Sequence, residues 1–264
     1  MKRRKGFTLI ELLVVIAIIA LLMSILMPAL TRVKKQARKV VCQATLKQWG
    51  LFWKLYCDDN NGNWLSGGGA GAGNWWIEPL LASYNIEEKI RCCPQATKPS
   101  AYGKIGSWAY TAWQNGSGYI GSYGPNGWMC VPNGTGNAAV WGRAPASDHW
   151  RNVNMKGAYN VPLWQGQWWV DAWPRDADVP PDISDSTMAI PDRPNVNEME
   201  RVCVDRHGGT VNNLFCDWSV RPVGMKELWT LKWHKSYDIR GAWTTAGGVT
   251  ADEWPKWMRG FKDY

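Results

Sequence analysis

One carboxylate stands where carboxylates are costly. Glu11 is the single charged residue between Phe7 and Leu30. In a membrane-spanning helix such a group costs about 2.5–3.5 kcal/mol on insertion scales, so a partner is expected for it. The other residues with chemical potential are scattered. Seven cysteines, Cys42, Cys57, Cys92, Cys93, Cys130, Cys203 and Cys216, form no Cys-x-x-Cys pair and no spacing that suggests a zinc site. Their odd number leaves one over if disulfides form. Cys203 and Cys216 flank His207 on runs that read as neighbouring strands, which makes them the candidate disulfide pair, provided their Cα atoms come within about 7 Å.

His207 and Asp217 stand ten apart, but a catalytic triad needs a placed nucleophile and a metal site needs more histidines than His149, His207 and His234. His207 therefore reads as structural, hydrogen-bonded in a hairpin loop. The acids Asp171, Asp176, Asp178, Asp182 and Asp185 cluster in a Pro-rich stretch without calcium-loop spacing and read as solvated loop acids. The Gly-rich run from Gly67 is not followed by Gly-Lys-Ser/Thr, so it is no phosphate loop. No catalytic, metal or cofactor site emerges.

The elements that position these residues begin with MKRRKG and then FTLIELLVVIAIIALLMSILMPAL. Roughly 20 apolar residues at 1.5 Å each span a ~30 Å hydrocarbon layer, and the basic run before them favours a cytoplasmic N-terminus. The apolar stretch does not end at a small-residue cleavage site. It merges with a pattern in which Leu30, Val33, Ala37, Val40 and Ala44 recur at steps of three and four, the mark of one helix face. Leu51, Phe52 and Leu55 extend it. One helix is predicted from about Phe7 to Tyr56, kinked at Pro28 and stopped by Asp58-Asp-Asn-Asn-Gly62.

The segment Lys5-Gly6-Phe7-Thr8-Leu9-Ile10-Glu11 resembles the processing site of type IV prepilins and type II secretion pseudopilins. The resemblance is continuous over about 25 residues and includes Pro28. It implies cleavage between Gly6 and Phe7 by a membrane peptidase that also methylates the new Phe7 amine, and it makes Glu11 the acid required for assembly. The free amine of Phe7 then lies four residues before Glu11 on one helix face. Two readings follow for the carboxylate: it pairs with the Phe7 amine of its own subunit or snorkels to the interface, or it reaches the Phe7 amine of a neighbour.

A second resemblance lies at Arg206-His207-Gly-Gly-Thr-Val-Asn-Asn-Leu-Phe-Cys-Asp217-Trp218. It is similar to the His-nine-residues-Asp-Gly motif of a large pseudopilin group in planctomycete-type bacteria. Trp218 replaces the usual glycine, which is costly if the turn needs a positive φ.

The body between and beyond these motifs is unusual in one respect: 20 tryptophans against 4 phenylalanines. Indoles are large and need a partner for N–H when buried, so they predict a tryptophan-filled core whose indoles donate to loop carbonyls. The alternative is a set of tryptophan platforms that stack on polysaccharide or another surface ligand. Residues 161–170 read as a central strand, Val211–Cys216 and Ser219–Val223 as a hairpin turning at Asp217-Trp218, and Val202–Asp205 as a further strand. Ser107–Trp113 reads as a strand, and Lys226–His234 and Thr250–Phe261 as tail helices, the latter from a capping box.

The expected fold is α+β: a long N-terminal transmembrane and then amphipathic helix packed on an antiparallel sheet, with Trp/Gly-rich loops, as in pilins. Residues 1–6 are the leader, 7–30 the transmembrane helix, 31–58 its amphipathic continuation and 59–264 an extracytoplasmic globular domain. The expected localisation is the inner membrane, single-pass, with a cytoplasmic N-terminus. The expected partners are the prepilin peptidase/methyltransferase, other pseudopilin subunits in a filament and the inner-membrane secretion platform, with polysaccharide under the alternative. The net charge of +8 falls to a mild +4 without the leader, and no basic stripe with interleaved aromatics argues for nucleic acid.

Intact mass and N-terminal sequencing of the membrane-extracted chain are expected to find N-methylated Phe7 as the first residue. A chain still starting at Met1, or one cut beyond Leu30, would contradict the processing expectation.

Overall fold

A 51-residue helix, α1 (Leu9–Asp59), is the first element of the computed structural model, which describes residues 8–67, 86–99, 111–114, 120–132, 145–181 and 197–264. Helix-forming residues run through it with few interruptions, and Pro28 does not break it. Near the proline, Ser24 Oγ donates to the Leu21 carbonyl (2.7 Å) and Thr31 Oγ1 to that of Met27 (2.9 Å). Both are hydroxyl bonds to carbonyls three or four residues back, which keep these polar side chains satisfied within the apolar helix. The helix stops where the Asp-Asn-Gly run predicts. Gly62, at φ +77°, returns its N–H to the Cys57 carbonyl (2.7 Å), and a Cβ there would lie 2.4 Å from Asn154 Nδ2.

The described strands are β1 (Ser66–Gly67), β2 (Lys98–Pro99), β3 (Thr111–Gln114), β4 (Ile120–Gly121), β5 (Tyr123–Pro125), β6 (Val131–Pro132), β7 (Pro162–Gly166), β8 (Thr210–Phe215) and β9 (Val220–Gly224). The body is organised by the four-stranded antiparallel sheet β5-β7-β8-β9, so the fold is α+β. β7 is central and wholly buried, as its sequence predicts. β8 and β9 form the predicted hairpin, with Leu214 opposite Val220. Its turn does hold Trp218 at φ +67°, a left-handed conformation that tryptophan seldom adopts. The strain is braced locally. Asp217 Oδ1 accepts from the N–H (3.0 Å) and hydroxyl (2.6 Å) of Ser219, and Lys47 Nζ on α1 donates to the Trp218 carbonyl (3.2 Å).

Only the second half of α1 docks. Its buried residues are Cys42, Thr45, Leu46, Trp49, Gly50, Trp53 and Cys57, one face at helical spacing. Gly50 permits close approach to β8, because a Cβ there would meet Leu214 Cδ1 at 2.9 Å. Trp49 and Trp53 pack on Trp164 of β7, at ring separations of 4.9 and 5.2 Å, and Trp64 stacks on Trp53 at 4.0 Å. On the other side of the sheet a second core gathers Trp128, Trp168, Trp173, Trp229, Trp233 and Trp254.

The described tryptophans serve as core, and several also as loop staples. Ten are among the largest fully buried side chains. Indole N–H groups reach loop carbonyls: Trp49 to Ile90 (2.8 Å), Trp128 to Pro174 (2.9 Å), Trp168 to Glu200 (2.8 Å), Trp229 to Asp178 (2.8 Å) and Trp257 to Pro181 (2.9 Å). Each satisfies a carbonyl in irregular backbone that no strand partner serves.

Four expectations are corrected. Val202–Asp205 is not a strand: a 3-10 turn at Glu198–Arg201 precedes it, and the Cys203 N–H bonds back to the Met199 carbonyl (3.0 Å). Cys203 and Cys216 are free thiols in different cores, Cys216 Sγ lying 3.7 Å from Met129 Sδ, so the candidate disulfide is not formed. In the tail, Lys226–Thr230 is a short 3-10 helix and residues 250–261 are turns. Thr250 and Glu253 do make cap-like hydrogen bonds, but Pro255 supplies no N–H and the chain continues with three-residue turns, Met258 to Pro255 and Phe261 to Met258. The strand expected at Ser107–Trp113 begins outside the described residues, and β3 covers its end.

The acid cluster is the fourth correction, because two of its described members are engaged rather than solvated. Asp171 pairs with Arg201 (3.0 Å), which also holds Glu198 (2.8 Å). Asp178 is buried, its Oδ2 accepting from the N–H groups of Arg175 (3.0 Å) and Met199 (2.9 Å). Asp182 and Asp185 lie outside the described residues. Burial pushes the Asp178 carboxyl up to about 7 from 3.8, against the two backbone donors that favour its ionised form.

Between those values the folded chain holds a proton that the unfolded chain has released. The contribution of this group to stability is therefore full below pH 3.8 and is lost as pH rises through about 7. Asp178→Asn keeps an acceptor without the titration. In denaturant unfolding, the variant is expected to gain on the unsubstituted chain by on the order of 2–3 kcal/mol between pH 5 and pH 8. Parallel pH profiles would rule this out.

Candidate functional site

The first turn of α1 is built by Thr8 and Glu11. Thr8 Oγ1 accepts from the Glu11 N–H (3.3 Å), and Glu11 Oε2 accepts from the Thr8 N–H (2.8 Å) and hydroxyl (2.8 Å). This reciprocal capping box satisfies two N–H groups that a helix start leaves unpaired. The carboxylate thus has a partner within its own chain, and the partner is Thr8. The cleavage-site residues Gly6 and Phe7 lie outside the described residues.

From Leu9 at 77% to Leu30 at 52%, every large aliphatic side chain is exposed on the chain alone. The exposure does not stop where the helix meets the body. The aliphatic stripe that periodicity marks as one helix face points away from it. Leu30, Val33, Ala37, Val40, Ala44, Leu51 and Leu55 are all exposed, Val33 by 61% and Leu51 by 61%. At 100° per residue this stripe centres on the side of the helix opposite Cys42, Leu46, Trp49, Trp53 and Cys57. The amphipathic half of α1 therefore has two apolar faces. The sheet takes the Cys/Trp face and leaves the aliphatic one uncovered.

Basic residues mark the junction. Arg38 donates to Gln95 Oε1 (3.4 Å) and Lys39 to Thr210 Oγ1 (2.9 Å), tying the helix to the body where docking begins.

His207 and Asp217 are not brought together. They lie at opposite ends of β8, a six-residue strand and hence about 20 Å long. Asp217 shapes the hairpin turn. His207 is not in that turn. It precedes β8, and its Nε2 lies 3.4 Å from Cys93 Sγ. Cys42 on α1 completes a compact group, the Cys42, Cys93 and His207 donor atoms all lying within 4.8 Å of one another.

Cys42 Sγ accepts from the Tyr123 hydroxyl (3.1 Å), and Ser122 Oγ accepts from the Cys93 N–H (2.6 Å). The Cys93 thiol is held well below its ordinary range by the Cys42 thiol hydrogen-bonded to it, then by His207 and the Arg206 guanidinium. The Cys42 thiol is pushed well above that range by the same hydrogen bond and by burial. Sequence spacing gave no sign of this group, since its members come from three remote segments.

Comparison with known proteins bears on the N-terminal part. The prokaryotic N-terminal methylation motif matches residues 1–27. The type IV wide pilus major component PilA4 of Thermus thermophilus is 49% identical over 61 residues, covering 23% of this chain and 47% of that protein. The chain thus spans about half the length of the curated relative it matches. No solved structure matches the chain. The N-terminal part of the chain thus carries the methylation motif and is similar to a type IV pilin, and it folds as a capped apolar helix whose second half docks on an antiparallel sheet.

Proposed function

We propose that this chain is a structural subunit of a type II secretion pseudopilus or type IV pilus-like filament, polymerised through α1. The observation that carries the reading is the exposed aliphatic stripe of the helix, broken on that face only at Gln48. It runs from Leu9 to Leu55 and stays exposed even where the opposite face is docked. A membrane accounts for the first part of that surface, since about 20 residues cross the hydrocarbon. It does not account for Val40, Leu51 and Leu55, which flank the body. Neighbouring helices in a filament cover both parts.

In this reading a prepilin peptidase removes residues 1–6 and methylates Phe7. Residues 7–30 hold the subunit in the inner membrane with its N-terminus cytoplasmic, and the body from 59 onward lies outside the cytoplasm. A secretion-type inner-membrane platform extracts it. The carboxylate of Glu11 supplies register. Leu-rich helices discriminate register poorly in lipid, whose tails are equally apolar. A neighbour's Phe7 amine adds a charge partner to the Thr8 hydrogen bonds, so neutralisation favours one axial position.

The polysaccharide-binding alternative loses support from the indoles. Among the fifteen tryptophans whose surroundings are described, eleven are buried and Trp150, Trp218, Trp243 and Trp257 are only partly exposed, which favours packing over an open stacking platform. Trp75, Trp76, Trp108, Trp113 and Trp141 have side chains outside that description.

Glu11→Gln keeps the cap's geometry and an acceptor but removes the charge. The variant is expected to insert at normal levels, because losing a charge lowers the membrane cost. Its incorporation into sheared filaments is expected to fall at least tenfold, equivalent to about 1.4 kcal/mol, when scored by pull-down beside the unsubstituted chain at matched membrane levels. Equal incorporation would remove Glu11 from assembly.

A further inference from the structure

We infer that Cys42, Cys93 and His207 form a binding site for a thiophilic divalent ion of the zinc class, which clips α1 to the body. The inference does not rest on the filament reading. Cys42 is on the docked face of α1, Cys93 follows the turn at Glu88–Ile90, and His207 precedes β8. Both cysteines are 2% exposed, while His207 is only partly buried and offers the ion a way in.

The geometry suits four-coordinate zinc. With Zn–S near 2.3 Å and Zn–N near 2.0–2.1 Å, two tetrahedral ligands of these types stand about 3.5 Å apart. Cys93 Sγ and His207 Nε2 are 3.4 Å apart, and all three donor atoms lie within 4.8 Å of one another. Three protein ligands leave a fourth position for water or an outside ligand.

The surroundings fit as well. The Tyr123 hydroxyl donates to Cys42 Sγ (3.1 Å), an outer hydrogen bond of the kind that orients a ligand sulfur. His207 Nδ1 has no hydrogen-bond partner among the described residues, so its environment does not fix the tautomer and the convergence of the three donor atoms carries the case. The tautomer protonated at Nδ1 frees Nε2 to ligate. Arg206 spans the loops behind the site, donating to the carbonyls of Ser122 (2.9 Å) and Gln167 (2.9 Å).

A Cys42–Cys93 disulfide is the competing use of the two sulfurs. It would leave the His207 nitrogen and the Tyr123 hydroxyl facing a bonded sulfur pair, a much weaker acceptor and no ligand at all. The observed array, two sulfurs and an imidazole converging on one point, has a use for all three. Its consequence is structural: the ion joins three segments remote in sequence at the level where α1 first meets the body.

The test uses the full chain purified in detergent micelles without reductant or chelator. Elemental analysis is expected to give about one zinc per chain, retained through dialysis. Cys42→Ser, Cys93→Ser and His207→Ala are each expected to lower occupancy at least tenfold, with circular dichroism confirming the fold. Chelation is expected to lower the melting temperature of the unsubstituted chain and not that of the variants.

If the variants do not fold, cobalt added to the unsubstituted apo chain decides. Thiolate-to-cobalt charge-transfer absorption with a tetrahedral spectrum supports the site, and an octahedral aqueous spectrum overturns it. Zinc that survives the substitutions also overturns it, as does a Cys42–Cys93 disulfide found by non-reducing peptide mapping.

Discussion

Trp49 and Trp53 lie one turn apart on α1 and both pack against Trp164 of the central strand β7, with Trp64 closing over Trp53. This contact decides which way the helix faces, and the other features follow from that rotation. Indoles bury about 150–250 Å² each, worth on the order of 5 kcal/mol apiece as an upper bound at ~25 cal/mol per Å². Valine and alanine on the other face offer far less. The sheet therefore takes the indoles, Gly50 lets the backbones approach, and the aliphatic stripe is turned outward. The same rotation carries Cys42 inward towards Cys93 and His207, and it places Lys47 under the strained Trp218 turn.

The body shows how a chain with short strands keeps its shape. β7, β8 and β9 have five or six residues each, and much of the described remainder is loop. Loop carbonyls need donors when buried, and here indole N–H groups supply many of them. Asn126 works in the same way, its amide nitrogen donating to the carbonyls of Pro162 (2.9 Å) and Trp233 (2.8 Å). Among the described residues the tryptophans fill volume, and Trp49, Trp128, Trp168, Trp229 and Trp257 also tie down loops through their N–H groups.

The parts legible in the sequence were those governed by local rules. The apolar stretch, the length of α1, its Asn-Gly stop, the hairpin and the cost of tryptophan at position 218 depend on neighbours within a few residues. What escaped depends on tertiary choice. Periodicity marks an aliphatic face on α1 but does not say whether the sheet or a neighbouring molecule covers it. Cys42, Leu46, Trp49, Trp53 and Cys57 also fall at helical spacing, and only the fold shows that this face meets the sheet. The Asp178 environment needs Met199, far along the chain, to be seen. Cys42, Cys93 and His207 have no common spacing, so their convergence exists only in the fold. The tail failed for a local reason of another kind: a correct cap signal at Thr250–Glu253 meets Pro255, and turns win.

The central claim is that docking and assembly use opposite faces of one helix. Electron cryomicroscopy of filaments containing this chain tests it most directly. The account predicts a core of packed α1 helices in which Val33, Val40 and Leu51 face neighbouring helices, while Trp49 and Trp53 stay on Trp164 within their own subunit. A filament whose subunits join through their sheets, leaving the Leu30–Leu55 stripe facing solvent, would contradict it.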